Sequence, residues 1–162
     1  RSTKMVEMYV RNVGLDFTGK PLIILADKEE RRLLPIWIGS FEANAIASGL
    51  REEEQERPFT HDLLHTIICS LGHTVERIAV TDLRDGTYYA TVSLTDDGET
   101  TDIDARPSDA IALALRAKAP IYVAEEVLEK AAVLSDQAEE DDLEKFKKLV
   151  SNIQLEDESE ES

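Results

Sequence analysis

The stretch RPFTHDLLHT at 57–66 places His61 and His65 four residues apart, with Asp62 directly after the first. On a helix that spacing puts both imidazoles on one face, which is how zinc hydrolases of the HExxH kind hold their metal. Asp62 stands where that motif carries glutamate, and a side chain one methylene shorter reaches poorly to a metal-bound water. No third ligand is evident, so zinc is not the expected cofactor. A second stretch, DIDARPSDAIALALR at 102–116, shares a different pattern with the first. Arg57, Pro58, Thr60 and Asp62 in one, and Arg106, Pro107, Ser108 and Asp109 in the other, give Arg-Pro followed by a hydroxyl residue and an aspartate. Proline suits the first turn of a helix, Ser or Thr satisfies an orphan N–H, and Asp offsets the positive end of the dipole. Capping leaves the arginines unexplained, because a cation at a helix N-terminus is mildly unfavourable unless paired. A guanidinium fork there suits a carboxylate or a phosphate. Both readings stay open: an internal Arg–Asp pair, or a phosphate contact.

The elements that must hold these residues are readable in outline. MVEMYVRNVGLDFTG alternates in part and turns between Thr18 and Pro21 into the buried strand PLIILAD, a hairpin. LLPIWIG is a third strand, with Pro35 placing it near an edge or bulge. Phe41, Ala45, Ile46 and Leu50 then recur at helical spacing behind a cap at Ser40. A second helix follows, capped at Thr60, with Leu64, Ile67, Ile68 and Leu71 as its apolar face and Gly72 as terminator. Three strands joined by the turns Asp85-Gly86 and Asp97-Gly98 form an antiparallel meander. The helix after Arg106 is apolar almost all round from Ala110 to Leu115, so it is expected to be central and buried. IYVAEEVLEKA reads as a short strand entering a helix. LPIWIGSFEA and APIYVAEEVL echo one another, as do the two Arg-Pro starts, and this raises the expectation of two similar half-units.

The 162-residue chain carries a net charge of −16, with 42% apolar residues and no run long enough for a membrane span. Residues 5–134 are expected to form one α+β domain, with a mixed, largely antiparallel sheet and about four helices. Residues 135–155 read as an acidic amphipathic C-terminal helix with the stripe Leu143, Phe146, Val150 and Ile153, and 156–162 as a disordered acidic tail. Eleven acids against three lysines make residues 135–162 −8, leaving −8 for the rest. Such a surface repels a polyphosphate at long range, so a nuclease needs a local arginine cluster or a divalent ion. The lone Cys69 cannot form an internal disulfide and no secretory leader opens the chain, which makes the cytoplasm the expected compartment. The residues ahead of Met5 are expected to be an added remnant. Trp37, Tyr88 and Tyr89 are expected to pack in the core rather than stack on bases. Homo-oligomerisation is expected from the apolar strands and the C-terminal stripe, its order unread.

LLPIWIGSFEANAI, RPFTHDLLHTIICSLG, RDGTYYATVSL and IDARPSDAIALALRAKAPIYVAEEVL, in that order, closely resemble the bifunctional nuclease family of bacteria and plants, long catalogued as a domain of unknown function. The resemblance runs from about Met5 to Leu128 and implies a single α+β domain. For characterised members it implies cleavage of RNA and DNA. Carried onto this chain, the family's polar signature falls on Glu42, Arg57, Thr60, His61, Asp62, Asp104, Arg106, Ser108 and Asp109.

Phosphodiester cleavage needs charge compensation on the phosphoryl oxygens, a base and an acid. On that scheme the catalytic candidates are His61, Asp62, Asp104 and Glu42, with His61 the foremost acid or base, since imidazole titrates closest to neutral pH. Arg57, Arg106, Thr60 and Ser108 are the candidates for holding substrate. Asp104, Asp109 and Glu42 are the candidate ligands for Mg²⁺ or Mn²⁺, which favour hard oxygens. Three functions are in play: a nuclease acting on RNA and DNA, a non-catalytic regulatory module that binds an anion or partner in the same place, and, least expected, a zinc hydrolase. The first requires Arg57 and Arg106 to converge on one concavity beside His61 and Asp104.

Overall fold

The computed structural model describes residues 4–52 and 55–135. The expected C-terminal helix and tail, from residue 136 onward, lie outside the described residues. Eight strands form one sheet: β1 (Met5–Leu15), β2 (Pro21–Asp27), β3 (Arg32–Trp37), β4 (Thr74–Arg84), β5 (Thr87–Asp96), β6 (Glu99–Ala105), β7 (Ile121–Ala124) and β8 (Val133–Leu134). Their order is β6-β5-β4-β7-β1-β2-β3-β8, antiparallel throughout except for β4 beside β7. Four helices complete the described residues: α1 (Ser40–Arg51), α2 (Thr60–Ser70), α3 (Pro107–Ala117) and α4 (Glu125–Ala131). The fold is α+β, as the sequence indicates. No helix among the described residues is long and apolar enough to cross a membrane.

Local chemistry explains most of the pairing. Asp85 and Asp97 adopt φ of 51° and 49°, and Gly86 and Gly98 come next at 78° and 81°. Two consecutive positive φ values match the right-handed twist of the flanking strands, which joins β4, β5 and β6 into a meander. Pro35 lies where β8 no longer accompanies β3, because that pairing covers only Arg32 and Leu33. Its missing N–H therefore costs no ladder bond. Two three-stranded meanders, β1–β3 and β4–β6, flank β7. The repeated sequence motif does not mark them, since β3 ends a meander while β7 is an inserted parallel strand.

The core lies between one face of the sheet and the helices. Met8, Ile23, Leu25, Leu34, Ile78, Val80 and Val92 meet Ile46 of α1, Ile111 and Leu113 of α3, and Val127 of α4. Helix α3 packs on β4 and β5 beneath and on α1 and α2 beside it. That enclosure is why it is apolar all round. Gly49 lets α1 approach closely: a Cβ there would stand 3.0 Å from Arg116 Nη1 and 3.1 Å from Leu115 Cβ.

Several local expectations need correction. The N-cap of α1 is Gly39, with Ser40 already helical, and the N-cap of α2 is Phe59, which moves Thr60 and His61 one position into the helix. Gly72 does terminate α2, at φ 83°, with the His73 N–H reaching the Ile68 carbonyl and the Gly72 N–H that of Cys69. The apolar face of α2 mostly points outward: Leu64, Ile67 and Leu71 are exposed, and Ile68 alone of the four packs against the core. A narrow polar seam joins α2 to α3, and this leaves the wider apolar stripe free. Trp37, expected inside, is 53% exposed and donates from Nε1 to Asp16 Oδ2 at 2.9 Å.

Ile111 is fully buried where helix, sheet and neighbouring helices meet. Ile111→Ala is expected to lower unfolding free energy by about 2–5 kcal/mol, the range for truncating a buried aliphatic side chain. A urea titration followed by circular dichroism measures it.

Candidate functional site

Three helix starts converge above the sheet. α3 begins at Arg106, whose extended backbone (φ −71°, ψ 144°) makes it the N-cap, with Pro107 in the first turn. The same turn carries Asp109, and both of its oxygens are engaged. Oδ1 lies 3.0 Å from His61 Nε2, and Oδ2 accepts from Arg106 Nε at 2.9 Å and lies 2.8 Å from Nη2. The same Nη2 is 3.0 Å from Glu42 Oε1, in the first turn of α1. A continuous chain therefore runs Glu42, Arg106, Asp109, His61, one link or two from each helix. His61 is buried, and Asp109 and Glu42 are largely shielded, while Arg106 remains mostly exposed.

These four residues, with Thr60, Phe41 and Phe59, line a cavity of about 330 Å³. His61 Nδ1 has no partner among the described residues and is not sealed from solvent. Nε2 is held by Asp109, so Nδ1 is the ring nitrogen left open. Burial pushes the Asp109 carboxyl up, but the hydrogen bonds from His61 and Arg106 and the charge of Arg106 outweigh it and hold the group below the usual carboxylate range. Arg106 is shifted upward by its hydrogen bond to Asp109, that residue's charge, and Glu42. Gly39 shapes this corner: a Cβ there would fall 2.2 Å from Glu42 Oε2, so any larger residue displaces the Glu42 carboxylate.

The remaining candidates lie elsewhere. Asp62 turns away toward α3. Its Oδ2 accepts the Phe59 N–H at 2.9 Å, one half of a capping box, and its Oδ1 accepts from Arg116 Nε at 2.8 Å. Arg116 is 8% exposed and also donates to the Ala112 carbonyl at 2.8 Å. Burial opposes the Asp62 charge, but the Phe59 N–H and Arg116 still keep its carboxyl below the ordinary range. A second cavity, of about 400 Å³, opens on this side and is lined by His65, Asp62 and Arg116. His65 contacts Cys69 Sγ at 3.3 Å, one turn along α2, so the two histidines of HDLLH serve different surroundings.

Asp104 pairs across from Thr91 on β5, and its neighbours Ile103 and Ala105 pair with the core-facing Val92 and Ala90. Strand alternation thus puts Asp104 on the sheet face away from α3. Ser108 is buried in the first turn of α3 and does not line the cavity. Arg57 is exposed two residues before Phe59, with no hydrogen bond or ion pair among the described residues. The structure therefore gathers Glu42, Thr60, His61, Arg106 and Asp109, and separates Asp62, Asp104 and Ser108 from them. Arg57 stands beside the cavity-lining segment without lining the cavity itself, so of the four residues expected to converge only His61 and Arg106 do.

Sequence reasoning did not single out Arg116, Gly39 or the cavity aromatics Phe41 and Phe59. Arg116 had a legible signal, as a cation ending a helix otherwise apolar all round. The carboxylates do not fit a divalent ion as they stand. Arg106 occupies the space between Glu42 and Asp109, and among the described residues no three His, Cys, Asp or Glu side chains come together as a metal site.

Known proteins share this arrangement of sequence. The description "Bifunctional nuclease domain" matches residues 23–136, which include every helix of the site. The chain belongs to the bifunctional nuclease family. An uncharacterized protein of Mycobacterium tuberculosis, Rv1829, is 40% identical over 160 residues, covering 91% of this chain and 96% of that protein. Bifunctional nuclease 2 of Oryza sativa subsp. japonica is 30% identical over 116 residues, 70% of this chain and 36% of that protein. Bifunctional nuclease 1 of Arabidopsis thaliana is 29% identical over 112 residues, 67% of this chain and 34% of that protein. The chain thus spans about a third of the length of these plant relatives.

Two outcomes test the seam. Arg116→Ala is expected to cost about 3 kcal/mol in urea unfolding, the low end for breaking a buried pair, since Asp62 keeps some contact with water. Asp109 has a folded-state pKa below its unfolded value, so its contribution is present above the ordinary carboxylate range and lost as pH falls through the depressed value. Asp109→Asn should therefore flatten the acid limb of a stability-against-pH curve measured by urea unfolding.

Proposed function

We propose that the chain is a nuclease that hydrolyses phosphodiester bonds of RNA and DNA in the cavity between α1, α2 and α3. The observation that carries this reading is the chain Glu42–Arg106–Asp109–His61, combined with membership of the nuclease family. A substrate lacking a 2′-hydroxyl can be cleaved only by an external nucleophile, so a shared mechanism for both nucleic acids uses water. His61 Nδ1 takes the proton of that water as its oxygen bonds to phosphorus, the ester P–O bond opposite breaks and the leaving oxygen takes a proton from solvent, while Asp109 on Nε2 fixes the ring and stabilises the imidazolium, which then returns its proton to solvent. Arg106, and Arg57 from the loop before α2, compensate charge on the phosphoryl oxygens. Asp62 is a positioning residue, which holds the start of α2 through the Phe59 N–H. Mg²⁺ or Mn²⁺ would require Arg106 to leave Glu42 and Asp109.

The second reading, a non-catalytic module that binds an anion or a partner, draws on a specific observation. The guanidinium of Arg106 already has two carboxylate partners, so it arrives at a phosphate largely neutralised. The test is cleavage of labelled single-stranded RNA and DNA, with anisotropy measured in parallel, with and without EDTA. The nuclease reading expects His61→Ala to lower the rate by roughly 10²–10⁴-fold and Arg106→Ala by roughly 10²–10³-fold, with both variants folded by circular dichroism. Undiminished cleavage by Arg106→Ala would mean a contaminating activity. Binding without cleavage by the wild type would favour the regulatory module, and loss under EDTA would return Glu42 and Asp109 to the role of metal ligands.

A further inference from the structure

Helix α2 carries a free apolar ridge. Phe59, Leu63, Ile67 and Leu71 follow one another at intervals of four residues, from the N-cap of α2 to its C-cap, and are 55%, 51%, 47% and 71% exposed. Residues four apart on a helix form a continuous row, here ~18 Å long. Leu64 widens it, and Phe41 of α1, 89% exposed, lines the same cavity as Phe59. His61 and Asp62 are turned toward α3, so the ridge takes no part in the polar seam. At ~150–200 Å² for a whole large side chain, these six residues bare on the order of 600 Å² of apolar surface, the top of what a monomer ordinarily leaves contiguous. Each partner in a stable protein pair buries ~800 Å², polar rim included.

Charge selects the occupant. The chain has a net charge of −16 and 32% charged residues, yet no Asp, Glu, Lys or Arg occurs from Leu63 to Val75. Two like-charged copies repel over most of their surface and can meet where a face carries no charge. A helix that lies on a membrane sets Lys or Arg beside its apolar face, and this run holds neither. The ridge also fits itself. Rows of residues four apart on two helices interdigitate when the axes cross at about −50°, the commonest helix contact in globular proteins. We propose that α2 is the dimerisation surface of the chain, packed against α2 of a second copy about a twofold axis. With the two helices running in opposite senses, Leu63 meets the partner's Ile67 and Phe59 meets the partner's Leu71. Phe59 also lines the cavity of His61 and Arg106, so the partner's Leu71 stands at its edge.

Sedimentation velocity on the full chain across the micromolar range reads the oligomeric state directly. The expected species is a dimer, and Leu63→Glu with Ile67→Glu, folded by circular dichroism, is expected to raise its dissociation constant by roughly 100-fold or more. Leu71→Glu places the charge past the last residue of α2 and should weaken the dimer without disturbing the helix. Phe17→Glu, as exposed in the turn between β1 and β2, should leave the dimer intact. In a Cys69→Ser background, an equimolar mixture of Leu63→Cys and Ile67→Cys chains should oxidise to a covalent dimer faster than either variant alone. A wild type of single-chain mass throughout, a dimer that survives the acidic α2 variants, or equal rates of cross-linking in the mixture and in the separate variants would each overturn the proposal.

Discussion

The ion pair between Asp62 and Arg116 sets the geometry on which the rest of the site depends. Arg116 is nearly excluded from water, and a buried guanidinium without a carboxylate partner is costly enough that α2 cannot drift from α3. Asp62 meets that charge with one oxygen and holds the Phe59 N–H, at the cap of α2, with the other. One residue earlier, His61 is then carried to the start of α3, within reach of Asp109. Gly49 completes the arrangement by letting α1 close on the same arginine. The position of His61 and the packing of α2 on α3 therefore both depend on one charge, and the polar residues of HDLLH divide between the two cavities.

This division also explains the paired Arg-Pro motifs. They look alike because both open helices, yet the two arginines behave differently. Arg106 folds back on Asp109 and Glu42, the internal pair that capping logic allows, whereas Arg57 stays exposed to solvent. In a protein with an overall charge of −16, the one cation that lines this cavity among the described residues is already balanced. An anion that enters the cavity competes with two carboxylates for Arg106.

Much of the architecture was legible because it rests on local rules. The Asp-Gly turns, the buried α3, the Gly72 terminator and the edge position of Pro35 each follow from the residue itself. What was not legible depended on which side of an element faces its neighbours. Asp104 and Asp109 look equivalent in sequence, five residues apart, but a strand's alternation sends one to the far face and a helix turn brings the other to His61. The outward stripe of α2 and the exposure of Trp37 likewise follow from packing partners that no periodicity reveals. For the site, the residue types and the two helix starts were readable, and the grouping of Glu42, Thr60, His61, Arg106 and Asp109 was not separable from Asp62, Asp104 and Ser108 without the fold.

The placement of Asp104 carries a meaning of its own. β6 is a terminal strand of the sheet, its outer N–H and C=O groups without a neighbouring strand among the described residues, and it presents Glu99, Asp102 and Asp104 along its length. Carboxylates spaced along a bare edge repel the same edge of another molecule and so oppose strand-to-strand polymerisation. Asp104 thus stands where its charge opposes edge-to-edge association, on the sheet face away from the cavity.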